Sequence, residues 1–169
     1  MSANIHTALG PQVKKLLSKA GIKIRTYEEL KSKVNFSMES IQNNPGIFKD
    51  METKKALHIG DMNLIAIDDD SLNSTEEVTE LVLHELIHMT ANKLNRRYEG
   101  EAGQETEECV AQIGMFKLVL VLELNAAPYA DTTLEYIKRF PKANFKKVEA
   151  DSDRAVDYLV KFLGMEKVA

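Results

Sequence analysis

The chain has 169 residues, 44% of them apolar and 28% charged, with a formal net charge of −4. That length fits one domain with a sizeable core, and the composition excludes disordered and fibrous classes. One cysteine, Cys109, excludes an internal disulfide and agrees with a reducing compartment, and no run nears the roughly 18 unbroken apolar residues of a membrane span.

In chain order, Pro11 to Ala20 reads as a helix with Val13, Leu16 and Leu17 on one face and Gly21 as its stop. Ile22 to Arg25 is a short strand. Thr26 and Glu29 have capping-box spacing and open a helix through about Val34. Asn43 to Gly46 is a turn. Ala56 to Gly60 and Leu64 to Asp68 read as two strands of a hairpin around Asp61-Met62-Asn63. Ser74 and Glu77 form a second capping box, opening a helix whose apolar face is Val78, Leu81, Val82, Leu86 and Met89. Gly100 and Gly103 break the loop that follows, and Gln104 to Leu124 is the longest helical stretch, ended by Asn125 and Pro128. Asp131 caps a short helix through about Phe140. Pro141 separates it from a last helix, about Lys142 to Leu163, stopped by Gly164. Strands early and helices late predict an α+β domain over residues 1–169, a small N-terminal sheet with a mainly helical C-terminal half.

Charge is distributed unevenly. Residues 1–60 carry ten Lys/Arg against five Asp/Glu, residues 61–135 four against sixteen, and residues 136–169 eight against five. The acidic middle argues against a nucleic-acid-binding surface there. The basic ends read as solvated helix faces, with Lys138, Arg139, Lys142, Lys146 and Lys147 as the basic cluster to keep in view. Residues 1–10 lack the basic-then-apolar layout of a signal peptide, which predicts an intracellular, cytoplasmic protein.

His84-Glu85-Leu86-Ile87-His88 carries the most chemistry. On a helix, residues four apart share a face, so His84 and His88 can aim their imidazoles at one divalent ion, most plausibly Zn2+. Glu85, beside the first of them, is placed to act as general base toward a water held there. A chain of average composition shows H-E-x-x-H by chance about once in 200.

A zinc site with one open position needs a third protein ligand. His6 lies in a frayed N-terminus, and His58, between Leu57 and Ile59 on a predicted strand, reads as a sheet-face residue rather than a ligand. Cys109 has no C-x-x-C partner. Glu101, Glu105, Glu107 and Glu108 are better placed. If Lys117 marks the solvent side of the long helix, Glu108 falls opposite it, in line with Ala111, Met115, Val119 and Leu122. Glu108 is therefore preferred, with Glu105 and Glu107 behind it.

Glu108 to Gln112 resembles the E-x-x-A helix of metallopeptidases whose third zinc ligand is a glutamate downstream of H-E-x-x-H. More narrowly, three ordered blocks within about residues 63–163 resemble the zincin-like metallopeptidase domain of ArdC-type antirestriction proteins. They are His84 to Thr90 with Leu94 to Arg97, Glu107 to Gly114, and the tail of Tyr136 to Phe140 with Ala155 to Leu159. The resemblance implies a gluzincin-like zincin fold, Zn2+ held by His84, His88 and Glu108, and Glu85 as catalytic base. Gln112 stands where that family has an acidic residue; there it can orient a ligand histidine but lacks the carboxylate charge. The family's larger members also have an N-terminal DNA-binding domain, which residues 1–60 are too short to supply, so no nucleic-acid partner is carried over.

The implied reaction is zinc-dependent hydrolysis of a peptide bond in a protein or peptide substrate, in antirestriction or phage–host conflict. Tyr98, Arg96, Arg97 and Tyr129 are candidate oxyanion donors. Leu64 to Asp68 is the expected edge strand along which substrate would lie. The alternative is a non-catalytic zinc protein that binds and blocks a host nuclease; Glu85 counts against it, because a purely structural site needs no base. A third reading, a helical interaction protein with a coincidental motif, is disfavoured by the three ordered blocks.

Overall fold

The computed structural model describes residues 4–32 and 44–164. In it the chain is α+β, a three-stranded mixed sheet in its N-terminal part followed by long helices. The residues group into two units, 1–85 and 86–169, with the boundary inside one helix. The end of the helix expected through Val34, and Asn43 of the expected turn, lie outside the described residues.

In the first unit the elements are α1 (Ile5–Ala8), α2 (Pro11–Ala20), β1 (Lys23–Thr26), α3 (Tyr27–Ser32), α4 (Ile47–Thr53), β2 (Ala56–Ile59), β3 (Leu64–Ile67) and the first part of α5 (Thr75–Lys93). Gly21 ends α2 in a left-handed conformation, φ 73°, which glycine adopts without steric cost. The Thr26–Glu29 capping box closes in both directions: Glu29 N donates to Thr26 Oγ1 at 3.0 Å and Thr26 N to Glu29 Oε2 at 3.3 Å. His6 lies in a capped helix, not in the frayed segment expected for it. Asn4 caps α1 by accepting from His6 N, and Ile5 is buried. Helix α4, not evident in the sequence, follows Gly46 and buries Ile47 and Met51, one turn apart.

The strand order is β1-β3-β2, with β1 parallel and β2 antiparallel to β3. Leu64–Ile67 is thus the central strand, not the expected edge. The physical reason is legible in its side chains. Leu64 and Ala66 join the core of Tyr27, Leu30, Met51, Leu57 and Ile59, while Ile65 and Ile67, on the opposite face, are also fully buried. A strand apolar at each position belongs where both faces are covered. The β2–β3 connection is a 3-10 turn, Gly60–Met62, with Asn63 left-handed at φ 48°.

The second unit holds the rest of α5, then α6 (Gly100–Val121), α7 (Ala127–Ile137) and α8 (Phe145–Val160). Helix α6 begins four residues earlier than expected and takes in both glycines. A Cβ at Gly103 would stand 2.8 Å from the carbonyl carbon and Cβ of Tyr98, so that turn of helix needs a residue without a side chain. Lys117 does not mark a solvent face: its Nζ bonds Glu149, Ser152 and Asp153 of α8. Pro128 sits in the first turn of α7, which starts ahead of Asp131. Asn144, not Lys142, opens α8, its side chain accepting from Lys147 N. No helix among the described residues is long and apolar enough to cross a membrane.

Candidate metal centre

Helix α5 is fixed at both ends. At its start Ser74 Oγ accepts from Glu77 N at 3.1 Å, while the Glu77 carboxylate bonds Lys55 Nζ at 2.7 Å instead of completing the expected box. At its end Asn95 is left-handed, φ 55°, and Arg96 N reaches back to Ala91 O at 2.8 Å, a Schellman-type closure that asparagine tolerates better than most residues. The turn directs the Arg96 side chain under the helix. Its Nη2 donates to Ile87 O at 2.9 Å and its Nη1 to Thr90 Oγ1 at 2.8 Å.

His84 and His88 lie one turn apart on α5, and Glu108 lies on α6. One donor atom from each lies within 4.8 Å of the others, and His88 Nε2 is 3.5 Å from Glu108 Oε1. Around a tetrahedral ion with bonds of about 2.1 Å, neighbouring donors stand about 3.4 Å apart. Two imidazoles and a carboxylate at this spacing fit a zinc ion after small rotations of side chains. The backbone arrangement is already in place, because Ile87 packs directly on Gly114 of α6.

The other glutamates have separate employment. Glu107 Oε1 accepts from His88 Nδ1 at 3.0 Å, and Arg96 donates through Nε to Glu107 Oε2 and through Nη2 to Oε1, both at 2.8 Å. A carboxylate only accepts, so Nδ1 of His88 carries a proton toward Glu107, and Nε2 is the ring nitrogen on the Glu108 side. Burial opposes ionisation of Glu107, but the Arg96 and His88 hydrogen bonds outweigh it and hold this carboxyl below the usual range. Glu105 accepts from Lys142 N at 2.6 Å, and Glu101 pairs with Lys142 Nζ at 2.7 Å, so both secure the chain entering α8. Tyr136 donates its hydroxyl to Glu108 Oε2 at 2.6 Å, and Glu108 Oε1 is the oxygen on the His88 side.

Of the candidate supporting residues, Arg96 is buried and acts on Glu107, not at an exposed oxyanion position. Tyr98 donates to Asp151 of α8, and that bond together with burial raises its phenol pKa. Gln112 is buried and donates to Thr133 at 3.3 Å; the carboxylate on the ligand histidine is Glu107, one turn earlier. Tyr129 is buried in α7 and Arg97 is exposed. Cys109 is buried, its thiol pushed up to about 11, first by burial and then by Glu105 and Glu108.

Some residues take roles that the sequence did not assign to them. Glu107 bonds His88 and Tyr136 bonds Glu108. His58 on β2, 27 residues before Glu85, has its Nδ1 2.6 Å from Glu85 Oε2. The alternation of buried Leu57 and Ile59 around it fixes which face it occupies, but no local pattern names its partner. His6 is exposed on α1 and stands outside the ligand group. No protein-family model, curated protein or solved structure matches this chain.

Proposed function

We propose that this chain is a zinc-dependent metallopeptidase of zincin type that hydrolyses a peptide bond in a protein substrate. The observation that carries the reading is the convergence of His84, His88 and Glu108, with Glu85 next in sequence to the first ligand. A zinc ion held there would supply a Lewis acid that polarises the scissile carbonyl and acidifies water. Glu85 takes a proton from water as its oxygen bonds to the carbonyl carbon, then delivers it to the amine as the C–N bond breaks. Glu107, anchored by Arg96, keeps His88 in the tautomer that binds through Nε2, and Tyr136 fixes the rotamer of Glu108. An extended substrate would add to β2, the edge strand that carries His58, and not to the central β3. The sequence resemblance extends the reading to an antirestriction setting.

The test is zinc content by metal analysis, together with cleavage of a library of internally quenched peptides. One zinc ion per chain is expected, and Glu85→Gln should keep the metal while losing roughly 100- to 10,000-fold in turnover. A chain that binds no zinc, or a Glu85→Gln variant that cleaves as well as wild type, sinks the reading. Glu85→Gln that retains full antirestriction activity with zinc bound would favour a non-catalytic, nuclease-blocking protein.

A further inference from the structure

We infer that His58 is a positioning residue for the general base: its Nδ1–H bonds Glu85 Oε2 and holds that carboxylate in one rotamer. The inference rests on the metallopeptidase reading and gives it a residue outside the H-E-x-x-H helix.

The geometry is specific. His58 Nδ1 and Glu85 Oε2 stand 2.6 Å apart, at the short end for a nitrogen donor and characteristic of a charge-assisted bond. A glutamate on a helix has three side-chain torsions, and a base that wanders among rotamers spends little time aligned with its water. Glu85 is largely shielded, with a side chain 14% exposed, whereas His58 is 38% exposed. The anchor itself stands on rigid backbone. In the antiparallel register His58 lies opposite Ile65 of the central strand, and its neighbours Leu57 and Ile59 are buried in the core.

A purely structural explanation would make this pair a stabilising ion pair. The His58 end of the pair is open to solvent, which weakens its contribution to stability, while the Glu85 end is shielded. His58 also lines a cavity of about 260 Å³ with Asn44, Pro45, Ile47, Asp50 and Leu57, so its imidazole is open to solvent.

The zinc-loaded full chain tests the idea with His58→Phe, which keeps bulk but no donor, and His58→Asn, whose amide can donate from nearly the place of Nδ1. On an internally quenched peptide that wild type cleaves, His58→Phe should lower kcat roughly 10- to 100-fold, with KM and zinc content unchanged. His58→Asn should recover most of the loss. Added to Glu85→Gln, His58→Phe should have no further effect, because both act through the same carboxylate. A second readout needs no substrate: nitrogen-15 spectra should show Nδ1 of His58 protonated in wild type and reverting to the Nε2–H tautomer in Glu85→Leu, which offers no acceptor.

Full kcat in His58→Phe, a rise in kcat, a loss additive with Glu85→Gln, or an unprotonated Nδ1 each overturns the inference while leaving the peptidase intact. Failure of the peptidase reading has its own signature, namely absent zinc or unaltered cleavage by Glu85→Gln, and removes the positioning role with it.

Discussion

Ile87 lies on Gly114 so closely that a Cβ there would meet the isoleucine Cδ1, Cγ1 and Cγ2 at 2.9, 3.0 and 3.1 Å. Both residues are fully buried, and the isoleucine sits in the turn of α5 between the two histidines. The separation of α5 from α6 at the ligands is set by this contact.

Gly114→Ala should therefore act as a wedge. A branched, buried isoleucine has little freedom to retreat, so the variant should lose about 1–3 kcal/mol by urea denaturation. Its zinc affinity should fall as well, because Glu108 moves with α6. Unchanged affinity in chelator competition would show that the ligands do not depend on this approach.

Glu107→Gln keeps the size of the side chain but weakens the acceptor on His88 Nδ1. Zinc affinity should drop roughly 10- to 100-fold, read by competition with a chromophoric chelator. Arg96→Lys cannot reproduce the forked pair to Glu107. Arg96→Ala, which leaves that half-buried carboxylate with His88 alone, should cost about 1–3 kcal/mol by urea denaturation.

The same carboxylate gives a pH dependence of stability. Its folded pKa lies below the ordinary glutamate value of 4.5. It therefore contributes stability that is present above about 4.5 and is lost as pH falls from there through the folded value. Metal-free wild type should lose Tm more steeply than metal-free Glu107→Gln across that acid range. Parallel curves would mean the pair stabilises no more than the amide does.

Tyr136→Phe removes the hydroxyl that holds Glu108 Oε2. With Oε2 released, the carboxylate can rotate. Zinc should bind roughly 10-fold more weakly while Tm changes little. A melting point that falls as far as the affinity would make Tyr136 a packing residue first.

Cys109 is fully buried, with its thiol pushed up to about 11, and the thiolate is the reactive form. At neutral pH it should resist alkylation in the native chain and react at once in denaturant. Rapid native modification, followed by absorbance of a thiol-exchange reagent, would contradict the placement of its helix face.

Much of the centre was legible locally. The four-residue spacing put His84 and His88 on one face, Ser74 marked where their helix starts, and Glu108 emerged from four neighbouring glutamates. Yet Lys117 is no guide to the solvent side of that helix. Lys117 does not face solvent but reaches residues 32 to 36 positions away on α8, and no local pattern shows a partner at that distance. The same limit hid His58 behind Glu85 and Tyr136 behind Glu108. Gly100 and Gly103 read as breakers because propensity counts their backbone freedom. It cannot count the closeness of Tyr98, which is what puts Gly103 inside the helix. For β3 the apolar run was visible, but its place in the strand order depended on β1, paired in parallel from some forty residues earlier.

The carbonyl of Ile87, between the two histidines, accepts from both Thr90 Oγ1 and the guanidinium of Arg96, and that guanidinium also grips the carboxylate behind His88. The centre is thus also the seam that stops α5 from unwinding. Loosening of that helix end and loss of a ligand's orientation are one event, so fraying at Asn95 would register as a drop in metal affinity at residues that never touch it.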